Sequence, residues 1–158
     1  LTVLNTVLAL CGSTLATYVF SKLIRGKIEV EDIANAALAG GVCIGSTCST
    51  ANPGFAMVIG ICAGTLSTLG FAIIAPKVCK LIRGTDTCGV HNLHGMPGLL
   101  GGLFGIAITG NVGVQVGAVV ATVVVGLVLG RVCGAILGLF GTKEVPYSDE
   151  EDFLLEEE

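Results

Sequence analysis

Two histidines, His91 and His94, stand three residues apart where a long apolar segment begins, and Asp86 precedes them in DTCGVHNLHGMPGLLGGLFGIAI (86–108). On an α-helix this spacing is roughly 60° of rotation, so the two imidazoles are expected to share a face. A neutral imidazole offers one donor and one acceptor nitrogen. Inside a membrane helix it is costly unless it faces a cavity or a pathway. Two chemistries fit: hydrogen bonding along such a pathway, or metal ligation by the i,i+3 pair. Ligation lacks partners, because no second His/Asp/Glu cluster falls in any apolar segment. No metal and no cofactor are therefore expected, and a histidine-metal membrane enzyme is the weaker alternative.

The elements that position these residues are read from composition. Hydrophobic residues make up 53% of the 158, charged residues 13%, and mean hydropathy is +0.89. A soluble domain carries about a quarter charged residues, so the chain reads as a membrane protein. Its 24 glycines are flanked by Val, Ile, Leu and Ala, and many recur four apart: Gly41/Gly45, Gly60/Gly64, Gly98/Gly102, Gly101/Gly105, Gly113/Gly117, Gly126/Gly130, Gly130/Gly134 and Gly134/Gly138. In lipid, helices associate through close backbone approach, which glycine permits. Gly101 and Gly105 form one such stripe beyond the histidines. The seven cysteines lie mostly in apolar runs without a C-x-x-C pair and read as small hydrophobes.

Five apolar segments are predicted to span the membrane, at about 1–20, 33–51, 54–75, 88–110 and 111–140, the third closed by Pro76 and the last long enough to tilt. The basic residues set the orientation. Lys22, Arg25 and Lys27 follow the first segment, Lys77, Lys80 and Arg83 the third, and Arg131 and Lys143 lie near the end of the fifth. All eight fall on one side of a five-span arrangement, which the positive-inside rule makes the cytoplasm. Arg131 is expected to snorkel to the inner interface. Asp32 and Asp86 each precede a helix and suit N-caps, with a role beside the histidines as the alternative for Asp86. The acidic tail, 144–158, is expected to be solvated and cytoplasmic. Glu150 with Leu154–Leu155 resembles an acidic dileucine sorting signal.

DTCGVHNLHGMPG resembles the tenth transmembrane helix of the ammonium transporter/Rhesus (Rh) glycoprotein superfamily. NTVLAL at 5–10, DIANAALAGGV at 32–42 and CAGTLSTLGF at 62–71 agree in order and spacing. The Rh branch fits better than the bacterial and plant branch. That branch has a second aspartate three residues after the first and a GVHG core, where this chain has Gly89 and NLHG; Asn92, Met96 and Pro97 follow the Rh style. The resemblance implies an all-α polytopic bundle, here the seventh to eleventh helices (1–143) of an eleven-helix inverted-repeat fold. It also implies a homotrimer with one pore per subunit, embedded in the lipid bilayer of the plasma membrane, and a cytoplasmic C-terminus.

The same resemblance implies transport rather than catalysis. Ammonium would leave its proton behind and cross as neutral ammonia, avoiding the desolvation of a bare cation. The tenth-helix pore histidine maps to His94. Val90 would line the same wall, and Asp86 would attract or orient the permeant at the inner mouth. His91 occupies the neighbouring family position. The family's second pore histidine, on the fifth helix, would lie upstream of Leu1, so the chain reads as a piece of a longer protein that cannot close a pore alone. A Rh-type structural subunit without transport is the other alternative.

Overall fold

The computed structural model describes residues 1–86 and 88–141. Helix α1 (Thr2–Arg25) is followed by a broken second segment: α2 (Val30–Asn35), a 3₁₀ turn (Ala36–Leu38) and α3 (Ala39–Ile44). Turns lead to α4 (Pro53–Leu69), which widens into a π turn (Gly70–Ile74) and continues as α5 (Ala75–Ile82). A second π turn (His91–Gly95) opens α6 (Met96–Thr109), and α7 (Val112–Gly138) follows. Among the described residues there is no strand. Three helical runs are long and apolar enough to cross a membrane: Thr2–Arg25, Pro53–Ile82 and Val112–Gly138. The dileucine pattern and the acidic tail lie outside the described residues.

Residues Leu1–Val120 form one compact unit. Its packing is inside-out relative to a soluble bundle. On α1 the hidden stripe is Asn5, Ala9, Ser13, Thr17 and Ser21, one residue every four, while Leu4, Val7, Leu15, Val19 and Leu23 are exposed. Lipid solvates the large aliphatic side chains, and small residues let backbones meet. A Cβ on Gly60 or Gly40 would strike the backbone of Ala9, one on Gly12 that of Met57, and one on Gly64 that of Ser13. Gly101 abuts the Cys43 carbonyl, and Gly105 abuts Gln115 and Ser46. The Ser46 hydroxyl donates to the Gly101 carbonyl at 2.7 Å.

Residues from Ala121 onward belong to a second unit, a helix whose described residues are all exposed up to Gly141. The glycine pairs predicted as packing stripes thus divide. Gly113, Gly117, Gly126, Gly130, Gly134 and Gly138 have nothing within 4 Å of the Cβ they lack. Arg131 is exposed, and the helix continues past it to Gly138.

The second segment is not one regular helix. Its pieces of six, three and six residues rise together about 24 Å, short of the roughly 30 Å hydrocarbon core. The break has a specific cause. In an α-helix the Gly40 amide would donate to the Ala36 carbonyl. The Ser13 hydroxyl occupies that rung instead, donating to Ala36 O at 2.7 Å and accepting from Gly40 N at 3.1 Å. A side chain inserted into the ladder is a recognised source of helix irregularity.

Two further expectations are corrected. Pro76 does not close the third segment. Its ring and missing N–H are incompatible with a regular α-helix interior, but the preceding π turn absorbs the mismatch, and the helix runs on to Ile82. Asp32 is not an N-cap. It sits in the first turn of α2, wholly buried, and its carboxylate takes a two-pronged ion pair from Arg25 (3.0 and 3.1 Å) and a hydrogen bond from Ser21 Oγ at 2.7 Å. The reversal at Gly26, φ +76°, brings α2 back against the end of α1, so a strong donor pair outcompetes the capping geometry. The cap residue of α2 is Glu29, without a side-chain bond.

At the other end, Asn5 Nδ2 donates to the carbonyls of Cys48 (2.8 Å) and Ala51 (2.7 Å), fixing the turns before α4. Asn52 caps α4 by accepting from Phe55 N at 3.1 Å. The orientation read from the basic residues places this loop outside the cell. A tag or cysteine at 49–53 is therefore expected to react in intact cells. Reaction only after permeabilisation would reverse the orientation.

Candidate functional site

Asp86, Val90, His91 and His94 are brought together by one short construction. Gly89 adopts φ +63° and donates its N–H to the Asp86 carbonyl at 3.2 Å. The Asp86 carboxylate then accepts from Val90 N at 2.9 Å and from His91 N at 3.0 Å. It satisfies amides that the start of a helix leaves unpaired, and its charge suits the positive dipole end. The N-cap expectation holds in this form, and Asp86 also stands beside the histidines. Gly89 has no room for a side chain: a Cβ would run into the ring of Phe71. The position that carries aspartate in the other branch is filled here by an aromatic ring from the first π turn.

The histidines do not sit on a regular α-helix. Across His91–Gly95 the bonds reach five residues, with Met96 N donating to His91 O. A wider turn holds more than 3.6 residues, so residues three apart rotate further from each other than 60°. The expected common face is accordingly split. His91, Val90 and Asp86 line a cleft of about 420 Å³ with Ala75, Val78, Cys79, Ile82, Thr85 and Gly95. His94 is exposed and is not among the residues lining that cleft. The His91 ring lies over Gly95, where a Cβ would approach Nδ1 to 3.1 Å. Among the described residues neither imidazole has a hydrogen-bond partner, and no group of three or more His, Cys, Asp or Glu is arranged to hold a metal.

The two π turns meet. Gly70 lies against Asn92 Oδ1 and the Met96 methyl, so no Cβ fits there. Asn92 is buried, and its backbone carbonyl accepts from the buried Ser67 Oγ at 2.7 Å. Ser13, Ser21 and Ser67 were not marked by motif reading. The signal available for the first two was the four-residue period of small and polar residues along α1.

Fold and site together define a piece of a polytopic, all-α membrane bundle whose histidine-bearing turn is widened and closed by proline. The sequence pattern of the Ammonium Transporter Family matches residues 1–152, and the chain belongs to that family, in its Rh-type branch. It is 46% identical over 112 residues to ammonium transporter Rh type B of Sus scrofa, covering 69% of this chain and 24% of the relative. The Rh type B protein of Xenopus tropicalis is also 46% identical, over 111 residues, covering 68% and 24%. The chain thus spans about a quarter of the length of these relatives. Its fold matches the solved Rh50 of Nitrosomonas europaea, of the Rhesus family of channels, with a TM-score of 0.88 and 47% identity, covering 97% of this chain and 41% of that one. This is a transporter and channel family.

Proposed function

We propose that the chain forms part of an ammonia-conducting pore in which His94 faces the permeant. The observation that carries this reading is that two imidazoles in a membrane segment stand exposed and without partners, while the neighbouring Asp86 carboxylate and Asn92 carbonyl are bonded. Such a group is costly against lipid and useful along a polar path. Ammonium gives up its proton at the mouth, ammonia accepts or donates a hydrogen bond at His94, and the proton is regained beyond. Asp86 retains lone pairs and a charge at the cleft rim that attract the cation, and Val90 supplies apolar wall. The surrounding assembly is a homotrimer in the plasma membrane with a cytoplasmic C-terminus, as the resemblance and the basic residues support.

The test is stopped-flow pH change in proteoliposomes of the full-length protein. His94→Ala is expected to lower ammonia flux about tenfold, the size of one or two lost hydrogen bonds to the permeant, with the oligomer intact. His91→Ala should have a smaller effect. Unchanged flux and selectivity in His94→Ala would remove this mechanism and favour a non-transporting structural subunit.

A further inference from the structure

The Asn92 carbonyl has lost its partner within its own helix. Met96 N, which would serve it in an α-helix, donates to His91 O instead. In the π register the next donor would be residue 97, which is proline and has no N–H. A buried carbonyl in that position is destabilising unless something else donates to it. Ser67, fully buried on α4, does so at 2.7 Å. The Ser13 hydroxyl does comparable work at the Ala36–Gly40 rung, so a serine from one helix completing the ladder of another occurs twice in this unit.

We infer that the Ser67 hydroxyl replaces the missing Pro97 amide and thereby holds the His91–Gly95 turn in its wide register, making Ser67 a positioning residue for both histidines. Without that donor, the Asn92 carbonyl regains a partner if Met96 N returns to it. The turn then tightens, and His91 and His94 rotate toward a common face. The consequence for permeation rests on the transport reading; the bonding claim does not.

The test is a double-mutant cycle in the full-length protein: Ser67→Ala, Pro97→Ala, and both. Pro97→Ala supplies an amide that can reach Asn92 O, so the hydroxyl becomes redundant. Thermal midpoints measure the bond, and the ratio of methylammonium to ammonia flux per folded protein measures histidine placement. Ser67→Ala alone is expected to lower the midpoint and to shift the flux ratio about fivefold, the scale of one net hydrogen bond. In the Pro97→Ala background the same substitution should change neither. If Ser67→Ala alone does not fold, recovery of folded double variant supports the inference, and failure of the double variant overturns it. An equal loss of midpoint in both backgrounds also overturns it. A coupled midpoint with an unmoved flux ratio overturns the positioning role. Absence of ammonia flux in the unmodified protein defeats the transport reading instead, and the midpoint cycle still decides the bonding claim.

Discussion

Gly60→Leu is expected to abolish recovery of folded protein. A Cβ there would lie 2.7 Å from the Ala9 carbonyl carbon and 2.8 Å from its Cα, and these are backbone atoms that cannot rotate away. Accommodation means lifting α1 off α4. That also opens the Gly12 and Gly64 contacts and pulls Ser13 from its place between Ala36 and Gly40. Ordinary overpacking costs about 1–3 kcal/mol; displacing a helix pair exceeds that. Gly117→Leu is the control, since nothing lies within 4 Å of its absent Cβ. Size-exclusion profiles of detergent extracts separate the two. A Gly60→Leu protein eluting like the unmodified one would refute the close-contact account.

Asp32→Ala should produce the next largest loss, about 3 kcal/mol. It strands the Arg25 guanidinium and the Ser21 hydroxyl beside a void. Breaking a buried pair from one side typically costs about 3–5 kcal/mol, and Arg25 remains 26% exposed, which argues for the lower end. A fall in thermal midpoint on the order of 5–10 °C is expected. Glu29→Ala provides the comparison, because the Lys27–Glu29 pair is open to solvent, with Lys27 75% exposed, and such pairs contribute less than about 1 kcal/mol. Equal midpoints for the two variants would mean that the buried pair adds no more than the open one.

The apolar segments were legible because hydropathy averages over many residues and tolerates local irregularity. The same averaging hides register. Nothing in HNLHGMP distinguishes a wide turn from a tight one except the proline, and at Pro76 the proline read as a stop. Pairwise chemistry was legible only where partners are near in sequence, as for Asp86 with Val90 and His91. The partners of Asp32 lie on the preceding helix, across a reversal at Gly26, so a carboxylate near a helix start was indistinguishable from a cap. The glycine spacing is alike in α4 and α7, yet one set meets backbone and the other meets nothing among the described residues. Spacing reports that a close approach is permitted, not that a neighbour is supplied.

The wide turn also constrains how this gene segment can change length. Deleting one residue from 91–95 would return the segment to a regular helix and rotate everything after it by about 100° relative to Asp86. Gly101 would swing away from Cys43, and Gly105 from Ser46, the contacts that seat α6. An insertion would do the reverse. Between Asp86 and Gly101 the residue count is therefore fixed as firmly as the residue types, and related sequences should align there without gaps.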